Sequence, residues 1–211
     1  EPAGAIRHSS PIALELRPPM ISIPLPFVIA LLLIVLLVEV IRRDEGFRAG
    51  SGPVNAPFLV LIGVSVLQSG LLGLRWGYGL QAVMYVMPVV AALVPPLAYA
   101  GVARLIWARP PATLPAVALH LLPALLMLAL MLFWRDALDI VLALIFIAHA
   151  GAILLLMRPG ADALRQMPFE NAIPAFRSVI LAACALLFSA GLDLYVFFDL
   201  AGGRGGHALT I

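Results

Sequence analysis

Residues 23–41 read IPLPFVIALLLIVLLVEVI, an uninterrupted apolar run in which Glu39 is the one charged residue. At 1.5 Å per residue, a helix of this length spans about 28 Å, close to the roughly 30 Å hydrocarbon core of a bilayer. The run is too long for the core of a signal peptide, so it indicates a retained membrane-spanning helix. It decides the fold because similar runs recur through the rest of the chain.

Six apolar runs of about 20 residues, each bounded by charged residues, Gly or Pro, lie along the sequence. They are approximately Ile23–Ile41, Ala56–Leu74, Leu80–Val102, Leu114–Trp134, Leu138–Met157 and Ile173–Phe197. The chain is 63% hydrophobic and 11% charged, which lies outside the usual range of soluble domains. We therefore predict an all-α fold: a polytopic transmembrane helix bundle with about six helices present and a seventh, starting near His207, truncated.

Two parts of unequal size are expected. Residues 1–20 show no hydrophobic periodicity, so we predict a disordered tail or upstream extension there, with Met20 as the natural start. Residues 21–211 are predicted to form the transmembrane helical domain, incomplete at its C-terminus. Cys184 is the single cysteine, so neither a disulfide framework nor a CxxC metal or redox site can form within the chain.

The basic residues are all arginines, and alternate connections between the runs differ in how many they carry. One set of connections holds Arg42, Arg43, Arg48, Arg104, Arg109, Arg158, Arg165 and Arg177, and the other holds Arg75, Arg135 and Arg204. Because cytoplasmic loops carry the excess of basic residues, the N-terminus is predicted outside and the arginine-rich loops in the cytoplasm. Dispersed arginines of this kind orient a protein in its lipid bilayer, so no nucleic acid contact is expected within this chain.

Two histidines are the first candidates for ligand binding or signal sensing. His120 and His149 lie on consecutive antiparallel runs, each about eight residues, or roughly 12 Å, from the arginine-rich end. At matching depth they could meet. One interpretation is a shared ligand, metal or haem site or a proton-sensitive pair; the other is two neutral imidazoles that hydrogen-bond neighbouring helices.

Asp193 and Gln68 are the other two candidates, since polar groups at membrane depth are costly. Asp193 shares a helical face with Ala185 and Ser189, a small-residue stripe that allows close helix packing. It either pairs with an arginine such as Arg75 or accepts a hydrogen bond from a ligand. Gln68 serves either packing or binding, and its face carries small residues: Ser65, Ser69 and Gly73.

Prolines inside the apolar runs and one long connection between runs also bear on the fold. Pro88, Pro95, Pro96 and Pro123 lie inside apolar runs, where each removes a backbone hydrogen bond and can kink a helix. In the connection Gly160–Arg177, we expect a short interfacial helix that rests Leu164, Met167 and Phe169 on the membrane. We find no catalytic, phosphate-binding or complete metal motif, so we predict no enzyme, no metal site and no cofactor.

Short motifs add a resemblance to a known family. They are MISIPLPFVIALLLIVLLVEVIRRDE (20–45), LRWGYG (74–79), VPPLAY (94–99), LHLLPALL (119–126) and FENAIPAFR (169–177). From residue 20 onward the chain resembles the N-terminal membrane portion of bacterial membrane-anchored AraC-type transcriptional regulators. The resemblance implies about seven helices in the bacterial inner membrane, followed by a cytoplasmic helix-turn-helix domain. The predicted orientation agrees with it, because a seventh helix would bring the chain back to the cytoplasm.

Three functions follow as expectations. The leading one is a sensory or anchoring module that perceives a small-molecule signal and biases an attached DNA-binding domain. The first alternative is a transporter or permease-like subunit, favoured by the prolines within the runs and by Asp193. The second is a haem- or quinone-binding membrane protein that uses His120 and His149. Assembly as a homodimer is left open.

Overall fold

The computed structural model describes residues 24–47, 55–107, 114–164 and 169–201, and in these ranges every element is helical. The α-helices are α1 (Leu25–Phe47), α2 (Ala56–Tyr78), α3 (Met87–Ala91), α4 (Val94–Ile106), α5 (Leu114–Phe133), α6 (Leu138–Leu156) and α7 (Phe169–Ala201), and single 3-10 segments cover Gln81–Tyr85, Arg135–Ala137 and Gly160–Ala163. The predicted tail, residues 1–20, and the predicted seventh helix near His207 lie outside the described residues.

The all-α, polytopic prediction is confirmed. Five helical segments are long and apolar enough to cross a membrane: Leu25–Arg42, Ala56–Tyr78, Met87–Ile106, Arg135–Leu156 and Asn171–Tyr195. Helix α5 is 20 residues long, about 30 Å. Within it, the stretch His120–Phe133 is apolar but shorter than the five spanning segments. The six predicted runs thus correspond to helical segments of the bundle.

The third run is not one continuous helix. Where the sequence predicted a single segment over Leu80–Val102, the chain forms a 3-10 segment, then α3, a turn at Ala92–Leu93, and α4. Pro88 lies in the first turn of α3, and Pro95 lies in the first turn of α4. The N–H groups of a first turn have no partner within the helix, so a proline there costs no hydrogen bond. The prolines therefore divide this segment rather than only bending it.

Helix α2 ends at a glycine that reverses the chain. Gly79 adopts φ 66°, the left-handed conformation that glycine tolerates best, and its N–H donates to the Arg75 carbonyl at 3.1 Å. This cap separates α2 from the 3-10 segment Gln81–Tyr85. Two contacts then fix one end of the bundle: the Phe27 and Tyr78 rings lie 6.0 Å apart, and the Arg135 guanidinium lies 5.2 Å from the Tyr85 ring centroid.

We name the two ends of the bundle by composition. The aromatic end carries exposed Trp76, Tyr78, Tyr85, Phe133 and Trp134. The arginine end lies opposite, where α1, α4 and α6 end and α2, α5 and α7 begin, and it carries Arg42, Arg104, Arg158 and Arg177. At the arginine end, the Asn55 side chain donates to the Gly101 carbonyl at 2.9 Å and so joins the start of α2 to α4.

The core lies between α4, α6 and α7. Half of the segment Met87–Ile106, which contains α3 and α4, is buried inside the protein, against 6% of Leu25–Arg42. The segment with α3 and α4 is therefore central in the bundle, and α1 is peripheral. Four alanines, Ala143, Ala150, Ala183 and Ala190, are fully buried and let α6 and α7 approach closely. The large apolar side chains that remain exposed on these helices are suited to lipid.

Two expectations about α7 and its approach are wrong in detail. Ala185 is exposed, so the closely packed stripe of α7 runs through Ala183, Leu186 and Ala190 instead. The separate interfacial helix is not found in the described part of the connection, because Gly160–Ala163 is a single 3-10 turn and Phe169 already begins α7. Leu164 is 2% exposed and packs in the core, not on the membrane surface; Met167 lies outside the described residues.

Candidate functional site

A polar cavity of about 450 Å³ opens in the half of the bundle nearer the aromatic end. It lies between α2 and α7, which pack mainly on other helices: α2 on α1 and α4, and α7 on α6. Its polar lining comes from α2 and α7, namely Ser65, Gln68, Ser69, Arg75, Ser189 and Asp193, and the remaining lining side chains are apolar. Its volume falls within the roughly 300–1,000 Å³ of typical small-molecule sites.

Gln68 lines this cavity and carries an unsatisfied acceptor. Its Oε1 is buried and has no hydrogen-bond partner in the structure, although buried polar atoms are almost always paired. Ser65, three residues earlier on the same face, donates its hydroxyl proton to the Leu61 carbonyl at 2.8 Å. Gln68 thus lines the cavity with part of its side chain, while its Oε1 is enclosed by the protein.

Gly73 lies on the adjoining side of α2, towards α1. A Cβ built on Gly73 would lie 2.8 Å from Cζ of Phe27, so this glycine receives the Phe27 ring of α1. Ser65, Ser69 and Gly73 follow one another at intervals of four residues, but they do not all face the same neighbour. Gly73 serves packing against α1, whereas Ser65, Gln68 and Ser69 face the cavity.

Asp193 and Arg75 line the same cavity from different helices. No ion pair within 4.0 Å joins them in the part of the chain that the structure describes; the Arg75 guanidinium instead lies 5.4 Å from the Trp76 ring centroid. Asp139, in the first turn of α6, is near enough to interact electrostatically with Asp193. The carboxylate of Asp193 thus has an acidic neighbour and an arginine that is turned towards an aromatic ring.

A second cavity, of about 290 Å³, lies in the half of the bundle nearer the arginine end. Both His120 and His149 line it, together with Tyr99 and three small apolar residues, Pro96, Ala148 and Ala152. The structure therefore brings the two histidines together, at the level that their positions in the sequence predicted. Helices α4 and α6 contribute to both cavities, which they separate.

The orientation of His149 is set by its own helix. Its Nδ1 lies 2.8 Å from the Ile145 carbonyl, and because a carbonyl only accepts, Nδ1 is the donor and a neutral ring presents its lone pair at Nε2. The Tyr99 ring stands edge-on to this imidazole, with centroids 6.4 Å apart. Among the described residues, no group of three His, Cys, Asp or Glu side chains is placed to hold a metal ion.

Several lining residues were not predicted from sequence. Tyr99 and Pro96 were noted only within a motif or as a kink, and nothing in their spacing placed them beside the histidines. Ser189 and Arg75 were mentioned only as neighbours of Asp193. To find them, one would have to know which helices are neighbours, and this depends on tertiary packing.

Comparison of the chain with protein-family models, with curated proteins and with solved structures gave no significant match.

Proposed function

We propose that this bundle is the membrane-embedded sensory module of a transcriptional regulator, and that the cavity at the aromatic end binds its small-molecule signal. The observation that carries the proposal is a cavity of ligand size that two polar side chains at membrane depth, Gln68 of α2 and Asp193 of α7, line from different helices. Polar groups at membrane depth are costly unless they are paired, and a bound ligand would supply partners to those that line the cavity. The link to transcription comes from the sequence resemblance.

A ligand in this cavity would connect two helices that otherwise pack on different neighbours. Ser65 and Gln68 lie on α2, and Ser189 and Asp193 lie on α7. Binding shifts the bundle only if the ligand prefers one separation of α2 and α7 over another. Helix α7 is 33 residues long, about 50 Å, so the cavity and the arginine end are joined by one helix.

The bundle has its N-terminal side outside a bacterial inner membrane in this proposal. The aromatic end and the cavity then face the periplasm, and the arginine end faces the cytoplasm, in agreement with the positive-inside rule. A signal would enter from the periplasm, while the attached helix-turn-helix domain would read DNA on the cytoplasmic side.

Reporter fusions test this orientation. Alkaline phosphatase joined after Trp134, at the aromatic end, is expected to be active, because the enzyme needs the periplasm to form its disulfides. The same enzyme joined after Pro159, at the arginine end, is expected to be inactive. Green fluorescent protein fused at the same two positions should give the opposite pattern; a reversal of both reporters would contradict the proposed orientation.

Transcription tests the sensory role itself. In the full-length protein, Gln68→Leu and Asp193→Asn are expected to change transcript levels, at least several-fold, from promoters that the protein occupies in chromatin immunoprecipitation. Ser178→Ala is the matched control, because this exposed hydroxyl on α7 donates to the Pro174 carbonyl of its own helix. Failure of the protein to cross-link to any promoter, or an equal effect of the control, would contradict the proposal.

One observation favours transport as a second candidate function. The cavity is lined by Pro88 and Ala91 of α3 and by Val94 of α4, so it adjoins the interrupted part of the central segment. Discontinuous helices at membrane depth are the usual substrate sites of secondary transporters. Accumulation of a cavity ligand in proteoliposomes against a concentration gradient would support this function, and saturable binding without accumulation would favour the sensor.

A further inference from the structure

The cavity nearer the arginine end, which His120, His149 and Tyr99 line, offers a hydrogen-bond acceptor. The Nδ1 atom of His149 donates to the Ile145 carbonyl at 2.8 Å, one turn earlier on α6. A neutral imidazole therefore carries its proton on Nδ1, and Nε2, at the tip of the ring, is an acceptor. Nε2 is neither paired within the described part of the chain nor enclosed by the protein. A molecule in the cavity can donate a hydrogen bond to it.

The rest of the lining suits an apolar ring. Pro96, Ala148 and Ala152 are small and apolar, and the Tyr99 ring stands edge-on to His149 with centroids 6.4 Å apart. Aromatic rings favour edge-on and offset contacts, so a further ring beside this pair is stabilised. The cavity measures about 290 Å³, and an apolar cavity of about 150 Å³ already holds benzene. There is room for one ring with a short side chain.

The polar atoms of the lining differ in what they need from a ligand. Nε2 of His149 needs a donor, whereas the Tyr99 hydroxyl can donate as well as accept. A ligand hydroxyl matches both, because it donates one proton and keeps two lone pairs. A ketone or a quinone has acceptors only and would leave Nε2 unpaired. Since a phenol is more acidic than an alcohol, its hydroxyl is the better donor to an imidazole.

We infer that this cavity binds a small phenol dissolved in the membrane, with the hydroxyl donating to His149 Nε2 and the ring packed beside Tyr99. The inference goes beyond the proposed function, because α4 and α6 separate this site from the cavity at the aromatic end. A phenol with a short alkyl chain partitions into lipid and so reaches a site at membrane depth. It differs from the quinone considered from sequence in bringing a hydrogen-bond donor.

Three probes matched in size test the inference: 4-propylphenol, 4-propyltoluene, which lacks the hydroxyl, and propiophenone, which is an acceptor only. Each is titrated calorimetrically into the purified chain in lipid nanodiscs, with empty nanodiscs as the blank for partition into lipid. We expect the phenol to bind most tightly. The nitrogen NMR resonance of His149 Nε2 is expected to move with 4-propylphenol and not with 4-propyltoluene.

Two variants separate the hydrogen bond from the cavity. His149→Phe keeps a ring but removes the acceptor, and should weaken binding of the phenol roughly three- to tenfold, the contribution of a neutral hydrogen bond. It should leave binding of 4-propyltoluene unchanged, which a general loss of structure would not do. Ala152→Leu fills the cavity and should abolish binding of all three probes. Gly151→Ala is its matched control, because a Cβ there meets no atom within 4 Å.

The outcomes that would overturn the inference are distinct. Tighter binding of propiophenone than of 4-propylphenol would mean that donors of the lining hold the ligand instead of Nε2. Unchanged binding of the phenol in His149→Phe, shown by circular dichroism to be folded, would remove the proposed hydrogen bond. Binding of the phenol that persists in Ala152→Leu would place the ligand elsewhere on the bundle. If His149→Phe does not fold, the probe series and the NMR resonance in the parent protein still decide.

Discussion

Gly73→Leu is expected to destabilise the bundle by about 3 kcal/mol, because there is no room for a side chain between α1 and α2 at this position. A Cβ on Gly73 would lie 2.8–2.9 Å from three atoms of the Phe27 ring, closer than such atoms approach. The Phe27 ring must therefore shift. Overpacking of this kind costs roughly 1–3 kcal/mol. The free energy of unfolding, measured by titrating micelles of the protein with a denaturing detergent, checks the prediction.

Gly70→Leu is the matched control on the same helix. No atom lies within 4 Å of a Cβ built on Gly70, and leucine favours a helix over glycine by up to about 1 kcal/mol, so this variant should be as stable as the parent or more so. Adding Phe27→Ala to Gly73→Leu should restore part of the loss by opening space. If Gly70→Leu and Gly73→Leu destabilise equally, the contact of Phe27 with Gly73 does not hold α1 in place.

The helices of this bundle could be predicted because the signal for each one is local. A run of about 20 apolar residues has few alternatives in a bilayer, where backbone groups must be satisfied within the segment. That His120 and His149 line one cavity was predictable for a related reason: two antiparallel neighbours with equal rise per residue place equal offsets at equal depth. Both inferences need only lengths and order along the chain.

The direction in which each helix faces could not be predicted in the same way. In a soluble protein, polar residues mark the outer face of a helix, but lipid is as apolar as the core, so both faces of α7 are apolar. The sequence therefore offered no signal against packing through Ala185, where the prediction placed the packed stripe. The structure uses the one through Ala183.

The cavity at the aromatic end could not be predicted, because it forms where two helices, α2 and α7, pack on other neighbours. Gln68 and Asp193 were each recognised as unusual at membrane depth, but they are 125 positions apart in the sequence. Only the packing of α2 on α4 and of α7 on α6 brings them to one cavity. A contact between distant helices has no local signal.

Ala183→Leu is expected to destabilise the bundle by about 2–3 kcal/mol, because the alanine is fully buried between α7 and α6. Three added carbon atoms would push apart the two helices that share the most extensive contact in the described structure. Ala185→Leu, two residues further along, places the same side chain on an exposed face and should change the free energy of unfolding by less than about 0.5 kcal/mol.

The same pair of variants decides how α7 is rotated, and with it the wall of the cavity. Asp193 and Ser189 reach the cavity because Ala183, Leu186 and Ala190 occupy the contact with α6. If Ala185→Leu were the more destabilising variant, α7 would present its other small-residue stripe to the bundle. The placement of Asp193 and Gln68 on the lining of one cavity would then be wrong, and the proposed signal site would lose its structural basis.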